Sequence, residues 1–249
     1  MDTIMSVENL AISFGSNQVL KSVNLELHAG ETLGVIGPNG AGKTVMLNIM
    51  TGILKPDGGR LVFLGRDILK EGVVERVRMG LGRTFQIPRS FRNMTAYENS
   101  LVGAVFGSGL TERAAGARAR DILDMIGLSG KKLEPAGKLG LLDRKRLEIG
   151  VALATGPRAL LLDEAAGGLT ESEVAEILGI VRKVKESGVG VIWIEHVLQT
   201  MLHGTDRVML LAEGRDVICG RPRDVMSSRE VEEAYLGAGV GARTRRKRA

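Results

Sequence analysis

The chain has 249 residues, of which 44% are hydrophobic and 25% charged, a balance typical of a globular protein and not of a disordered one. The net charge of +5 arises in residues 243–249, which hold five basic residues and no acid, so the neutral remainder indicates no nucleic-acid-binding face. No apolar run approaches the roughly 18–20 residues that span a bilayer, the first ten residues do not look like a secretory signal, and the single cysteine, Cys219, fits the reducing cytosol.

Short apolar segments define the expected strands. Residues 10–28 predict antiparallel hairpins around Gly15-Ser16-Asn17, formed by Leu10–Phe14, Gln18–Leu20 and Val23–His28. Later runs, several without a polar face, indicate strands buried on both sides, as in a parallel sheet. These runs are Thr32–Ile36, Leu61–Leu64, Ala159–Leu162, Val189–Ile194 and Val208–Leu211.

Helical patterns lie between these strands. Glu171–Ser187 has apolar residues at helical spacing, is preceded by a capping-box threonine, and should cover one face of the sheet. Residues 95–157 read as a helical insert that includes Glu112–Ile126 and Lys145–Ala154. We therefore expect one α/β domain over residues 1–237. Residues 238–249 should be a basic, disordered tail, or alternatively a weak contact for anionic lipid or RNA.

The segment from Gly37 to Thr44 matches the pattern G-x-x-x-x-G-K-[ST] between a predicted strand and a predicted helix, Thr44–Thr51. Glycines let backbone N–H groups surround an anion, and the helix N-terminus adds a positive dipole end. Lys43 can reach the β- and γ-phosphates, and the Thr44 hydroxyl can hold Mg²⁺. The fold is therefore predicted to be a P-loop NTPase core with a mainly parallel sheet, an N-terminal antiparallel β subdomain and an α-helical insert.

Two acids follow the apolar run at residues 160–162. Asp163 can hold the Mg²⁺ shell, and Glu164 is placed to polarise or deprotonate a water facing the γ-phosphate. Three further residues leave alternatives open. Gln86 is either a ligand of Mg²⁺ or water or an ordinary loop residue, His196 is either functional or structural, and Phe14 stacks on adenine or fills the core.

GPNGAGKT, Gln86, LLLDE and IEH, in this order and spacing, resemble the ATP-binding subunit of an ABC transporter over about residues 5–237. The resemblance implies ATP and Mg²⁺ as cofactors, Glu164 as catalytic carboxylate, His196 as switch histidine, and Gln86 as the link between nucleotide and membrane partner. The ATP-binding residues predicted in this way are Phe14, Gly37, Pro38, Asn39, Gly40, Ala41, Gly42, Lys43 and Thr44. The predicted metal ligands are Thr44, Gln86 and Asp163.

Three stretches, RTFQIPRSFRNMTAYENSLVGA, RLEIGVALATGPRALLLDE and EEAYLG, resemble the branched-chain amino acid uptake subgroup of that family. The resemblance implies ATP-driven closure of two ATP-binding subunits that work on separate transmembrane permease subunits. We therefore expect an importer ATPase at the inner face of the plasma membrane, with a small amino acid as solute.

The family's signature segment, LSGGQ or LSYGD/E-Q, is altered here. The aligned residues are Leu139, Gly140, Leu141, Leu142 and Asp143. Gly140 lacks the serine hydroxyl, and the Leu142 side chain should obstruct the close approach of backbone to phosphate. Losing one or two charge-assisted hydrogen bonds costs about 2–5 kcal/mol, which is enough to disable a site.

We therefore expect this subunit to pair asymmetrically with a second ATP-binding subunit whose signature is intact, with a homodimer as the alternative. Ala165 and Thr170 also replace the usual proline and the usual dimer-contact acid or amide. Two other functions stay open. One is a soluble ABC protein acting on ribosomes or nucleic acid, and the other is a catalytically weak, regulatory ATP binder.

Overall fold

The computed structural model describes residues 2–235, which form one ten-stranded sheet with helices on both faces. The predicted tail, residues 238–249, lies outside the described residues. The strands are β1 (Thr3–Phe14), β2 (Asn17–His28), β3 (Thr32–Ile36), β4 (Gly58–Phe63), β5 (Arg66–Asp67), β6 (Leu81–Arg83), β7 (Ala159–Asp163), β8 (Gly190–Ile194), β9 (Arg207–Ala212) and β10 (Arg215–Gly220). Their order in the sheet is β5-β4-β1-β2-β10-β9-β3-β8-β7-β6.

The sheet has a parallel part and an antiparallel part. Strands β9, β3, β8, β7 and β6 pair in parallel, and every residue of β3, β7 and β8 is buried. Such strands need helices on both faces, which is why they read as unbroken apolar runs. Strands β5, β4, β1 and β2 pair antiparallel. The predicted α/β class, with a parallel core and an N-terminal antiparallel subdomain, is confirmed.

Two strand predictions were wrong in detail. Strands β1 and β2 are 12 residues long each and form one hairpin, so Gln18–Leu20 and Val23–His28 belong to a single strand. Several register shifts interrupt the β1–β2 pairing. Each shift breaks the alternation of apolar and polar residues from which the length of a strand is predicted in a sequence. The run Leu61–Leu64 lies in antiparallel β4 and ends in an exposed turn residue, so it is not a strand of the parallel core.

Helices accompany the sheet in residues 2–235. They are α1 (Lys43–Met50), α2 (Val73–Arg78), α3 (Ala96–Val102), α4 (Glu112–Met125), α5 (Leu141–Ala154), α6 (Glu171–Glu186), α7 (Leu198–Gly204) and α8 (Pro222–Met226). Residues 229–235 are also helical. Helices α3, α4 and α5 pack together as a helical unit. Helix α5 begins four residues before the predicted Lys145, because Gly140 provides its extended N-cap residue.

Buried apolar residues form two clusters. One cluster packs the helical unit and α6 against the sheet and contains Trp193, which is fully buried. The other packs α1 against the strands and the antiparallel part of the sheet. Helix α1 thus lies between the parallel core and the N-terminal subdomain, so its position depends on both.

The C-terminal end of α1 is held by a buried arginine of α2. Arg76 is fully buried, and its guanidinium donates to the backbone oxygens of Ile49 (2.6 Å), Met50 (2.9 Å), Leu69 (3.0 Å) and Glu71 (2.9 Å). The last carbonyls of a helix have no partner within the helix, and a cation at this end also opposes the negative end of the helix dipole. Arg76 therefore holds the C-terminal end of α1, while the loop that precedes α1 lies at the N-terminal end of the helix.

Replacing Arg76 with Gln should lower the free energy of unfolding by about 3 kcal/mol, because several buried carbonyls lose their donor at once. Denaturant unfolding followed by circular dichroism measures this. The matched control is Arg66→Gln, because Arg66 is exposed and makes one ion pair with Glu71, so its loss should cost under about 1 kcal/mol. Equal losses in the two variants would contradict the role assigned to Arg76.

Candidate nucleotide site

The loop between β3 and α1 has a backbone that needs glycine. Gly37 has φ 154°, and a Cβ there would lie 2.0 Å from the backbone oxygen of Leu211. Gly42 is the N-cap residue of α1 with φ 104°, and a Cβ there would lie 2.5 Å from the side chain of Leu20. The Gly37 N–H donates to the Tyr235 hydroxyl at 3.1 Å. The loop therefore packs tightly at its base, where no side chain fits.

The rim of the same loop is open. Asn39, Gly40 and Thr44 are exposed, whereas Ala41 is buried beneath them. Thr44 lies in the first turn of α1, where free N–H groups and the positive end of the helix dipole attract anions. The predicted phosphate cradle is thus accessible at the positions where phosphate would bind.

Lys43 crosses the loop that it belongs to. Its ammonium donates to the backbone oxygens of Gly37 (2.6 Å) and Pro38 (3.1 Å). Burial lowers the pKa of Lys43, while the nearby carboxylates of Glu164 and Asp163 act to raise it. The lysine therefore lies in the electrostatic reach of both acids at the end of β7.

Asp163, the last residue of β7, is 3% exposed. Its Oδ2 accepts from the Arg83 guanidinium at 3.2 Å, while its Oδ1 is buried and has no partner among residues 2–235. Burial raises the pKa of Asp163, and Arg83 opposes that rise. A buried carboxylate oxygen without a donor is costly unless a cation or its water shell meets it. Asp163 and the exposed Thr44 therefore fit a magnesium ion that binds with nucleotide.

Glu164 brings together the two residues whose role the sequence left open. Gln86 Nε2 donates to its Oε2 at 2.6 Å, and His196 Nε2 lies 2.6 Å from its Oε1. The Glu164 side chain is 19% exposed and that of His196 is 38% exposed, so water reaches the cluster. One carboxylate, one amide and one imidazole thus meet at the end of β7, next to the acid that fits the metal.

The backbone around Glu164 is held in a left-handed conformation, with φ 51°. Such a conformation is uncommon for a residue with a side chain and needs support. Lys145 Nζ donates to the Glu164 backbone oxygen at 2.8 Å, and the buried Glu195 carboxylate accepts from Ala166 N–H (2.6 Å) and Trp193 Nε1 (3.2 Å). Burial raises the pKa of Glu195 and lowers that of Lys145.

Glu148 of α5 holds the Gln86 loop. Its two carboxylate oxygens accept from the backbone N–H groups of Phe85 (3.2 Å) and Arg89 (2.9 Å), on either side of Gln86. Burial raises the pKa of Glu148, and these two hydrogen bonds act to lower it. Sequence reasoning missed Glu148, Lys145 and Arg83. A charged residue inside an apolar helical pattern is the signal that can locate Glu148.

The altered signature surrounds the start of α5. Gly140 is the N-cap residue, and a Cβ there would meet nothing within 4 Å among the described residues. Leu142, expected to obstruct a phosphate, is half-buried and packs against the core, whereas the exposed side chain is that of Leu141. Leu139 is buried, and Asp143 is buried in ion pairs with Lys131 and Arg146. The Leu142 side chain thus packs inward, and the expected loss of close backbone approach at Leu142 stays a prediction.

Phe14 lies apart from these contacts. It ends β1, pairs with Asn17 across the hairpin, and its side chain is 49% exposed. This exposure contradicts the core-filling alternative and leaves a ring face available for stacking.

Comparison with known proteins identifies the family to which this chain belongs. The family model described as ABC transporter matches residues 20–167. The chain belongs to the ABC transporter family. Within it, the chain is an ATPase, the ATP-binding subunit of a transporter. No helix of this ABC subunit within residues 2–235 has the length and apolarity to cross a membrane.

Relatives of this ABC subunit belong to an amino acid transport system and to a lipopolysaccharide export system. The high-affinity branched-chain amino acid transport ATP-binding protein LivG of Escherichia coli is 35% identical, covering 94% of this chain and 98% of its own. The lipopolysaccharide export system ATP-binding protein LptB of Haemophilus influenzae is 31% identical with the same coverage. An ATP-binding cassette of an ABC transporter in its ADP conformation aligns with a TM-score of 0.87 at 31% identity, covering 95% of this chain and 100% of that one.

Replacing Lys43 with Ala should weaken nucleotide binding by about 10- to 100-fold, because a buried ammonium that meets phosphate is lost. Titration of the purified chain with a fluorescent ATP analogue measures this. The matched control is Lys55→Ala, since Lys55 is an exposed lysine outside the loop. Unchanged affinity in the Lys43 variant would remove the loop from the nucleotide site.

Proposed function

We propose that this subunit hydrolyses Mg-ATP between two ATP-binding subunits at the inner face of the plasma membrane and thereby drives import of a branched-chain amino acid. The convergence of Gln86, His196 and Glu164 at the end of β7 carries the proposal, because these groups can recognise and activate a water beside a γ-phosphate. The loop around Lys43 supplies the phosphate contacts from the adjacent strand.

Each residue has a defined task in that reaction. Lys43 and the loop N–H groups bind the β- and γ-phosphates, which fixes the phosphorus for attack. Glu164 accepts a proton from the attacking water, and Gln86 and His196 hold its two oxygens in place. Asp163 and Thr44 would hold Mg²⁺, whose charge would offset that of the phosphates. Because water attack and phosphate binding depend on different residues, turnover and affinity can be altered separately.

A groove beside the Gln86 loop supports docking of a permease segment. It encloses about 260 Å³ and is lined by residues of α2, β6, α5 and the Gln86 loop. The exposed apolar side chains of Ile53, Val73 and Phe91 lie along it, and Ile87 is also exposed next to Gln86. Exposed apolar side chains around a groove are typical of partner-binding surfaces. A helix placed there would contact the loop that holds Gln86 on Glu164, which provides a route from the partner to the water-activating group.

Asymmetric pairing is the second part of the proposal. In this family two subunits enclose two ATP molecules, each between one phosphate loop and the other subunit's signature. Gly140 has no hydroxyl to donate, and the exposed isobutyl group at this end of α5 belongs to Leu141. The site built on this signature should be slow, while the site built on Lys43, Asp163 and Glu164 should be active with a partner whose signature is intact.

The complex of this chain with its permease and second ATPase subunit should hydrolyse ATP and take up leucine when reconstituted into vesicles. Glu164→Gln should reduce turnover by about 10²- to 10⁴-fold, because the general base is lost, and should leave ATP affinity nearly unchanged. Export of a lipid-linked substrate without uptake of leucine would show that the complex is an exporter and would contradict the proposed import. RNA binding that survives physiological salt, or ATP binding without turnover in any complex, would favour the two remaining functions.

Restoring the signature should activate the isolated chain. We expect low ATP turnover for the unaltered chain and at least tenfold higher turnover for Gly140→Ser combined with Leu142→Gly, because one hydroxyl donor is regained and one Cβ is removed. The serine fits without displacement. Asp143→Asn, at the residue that follows Leu142, is the matched control for disruption of the helix. Robust cooperative hydrolysis by the unaltered homodimer would exclude asymmetric pairing.

A further inference from the structure

The guanidinium of Arg83 bridges helix α1 and Asp163, the acid predicted to hold the metal. Arg83 is the last residue of β6, and its side chain is 6% exposed. Nη1 donates to Asn48 Oδ1 at 2.7 Å and to Thr51 Oγ1 at 3.1 Å, and Nη2 donates to Asp163 Oδ2 at 3.2 Å. Asn48 lies in α1, which starts at Lys43, and Thr51 caps its end. One side chain therefore joins the phosphate-loop helix to the acid of β7.

The arrangement leaves one oxygen of Asp163 for another partner. Oδ2 is taken by Arg83, while Oδ1 is buried and unpartnered among residues 2–235. The Asp163 backbone is fixed as well, because its N–H donates to Thr84 Oγ1 at 3.2 Å. With one oxygen and the backbone held, rotation of the carboxylate is restricted. The remaining oxygen thus has a defined position before any ligand binds.

Arginine is suited to this task because its planar fork offers five N–H donors in fixed directions. The contacts to Asn48, Thr51 and Asp163 use both terminal nitrogens at once. A lysine at the same position carries the charge but cannot reach two elements in the same geometry.

We propose that Arg83 is a positioning residue for the divalent cation that binds with nucleotide: by holding one oxygen of Asp163 against α1, it presents the other oxygen to the cation's water shell. The inference rests on the proposed function, since it needs Mg-nucleotide to bind at the Lys43 loop. In this proposal Arg83 contacts neither the nucleotide nor the cation. Substitution of Arg83 should therefore change the affinity for nucleotide only when the cation is present.

The test separates metal-dependent from metal-independent binding. The affinity of the full chain for a fluorescent ATP analogue is measured with Mg²⁺ and with EDTA, and the ratio of the two gives the metal-dependent gain. Arg83→Gln should reduce that gain by roughly tenfold, as is usual for a residue that orients a metal ligand, with the affinity in EDTA unchanged. Arg83→Lys should reduce it as well. Manganese binding in the presence of ADP, followed by electron paramagnetic resonance, should fall in parallel.

Arg76→Gln is the matched control, because Arg76 is equally buried and also bonds to α1 but does not touch Asp163. It should lower stability and leave the metal-dependent gain unchanged. On an Asp163→Asn background, Arg83→Gln should have no further effect on the gain, because the positioned group is absent. If Arg83→Gln does not fold, Arg83→Lys and its double variant with Asp163→Asn give the same comparison.

Three results would overturn the inference. A parallel loss of affinity with Mg²⁺ and with EDTA would assign Arg83 a structural role alone. A larger metal-dependent gain in the variant would mean that the guanidinium competes with the cation. Additive effects of the Arg83 and Asp163 substitutions would mean that they act independently. Absence of nucleotide binding by the unaltered chain would instead contradict the proposed function, which distinguishes the two failures.

Discussion

Two carboxylates that follow one another at the end of β7 must be held in different surroundings, and much of the structure maintains that difference. Asp163 is buried against a guanidinium, whereas Glu164 reaches water between an amide and an imidazole. Neighbouring acids repel each other, and burial raises the pKa of the inner one, Asp163, which Arg83 opposes. The left-handed backbone at Glu164 turns the second side chain away from the strand, so the two acids face separate partners.

The supports of this arrangement come from distant parts of the chain. Lys145 holds the Glu164 carbonyl, and Glu195 holds the next turn through the Ala166 N–H. Both are buried ionisable groups, which are costly to retain unless hydrogen bonds satisfy them. Their presence in the apolar core therefore follows from the backbone conformation they maintain. A core built of hydrocarbon side chains could pack equally well but could not hold the strained turn.

The sequence predicted the parts of the fold that have strong local patterns. The apolar run of β3, the loop up to Lys43, and the capping box at Thr170 all appear where expected, because each depends on residues close in sequence. The meeting of Gln86 and His196 on Glu164 was not decidable, since these residues are 78 and 32 positions away from it. Arginines such as Arg83 were overlooked because charged residues usually lie at the surface.

In the proposed pairing of two subunits, helix α5 would link the subunit's own site to the site built on its signature. Its N-terminus carries the altered signature, while Lys145 and Glu148, on its first two turns, hold the Glu164 backbone and the Gln86 loop. A helix moves as a rigid unit over such a short distance, since its backbone hydrogen bonds resist bending. In the proposed pairing, displacement of the signature end by a partner's nucleotide would act on the groups that position Glu164. We expect this coupling although Gly140 and Leu142 stand where the signature has serine and glycine, because the groups that hold Glu164 and the Gln86 loop lie further along the same helix.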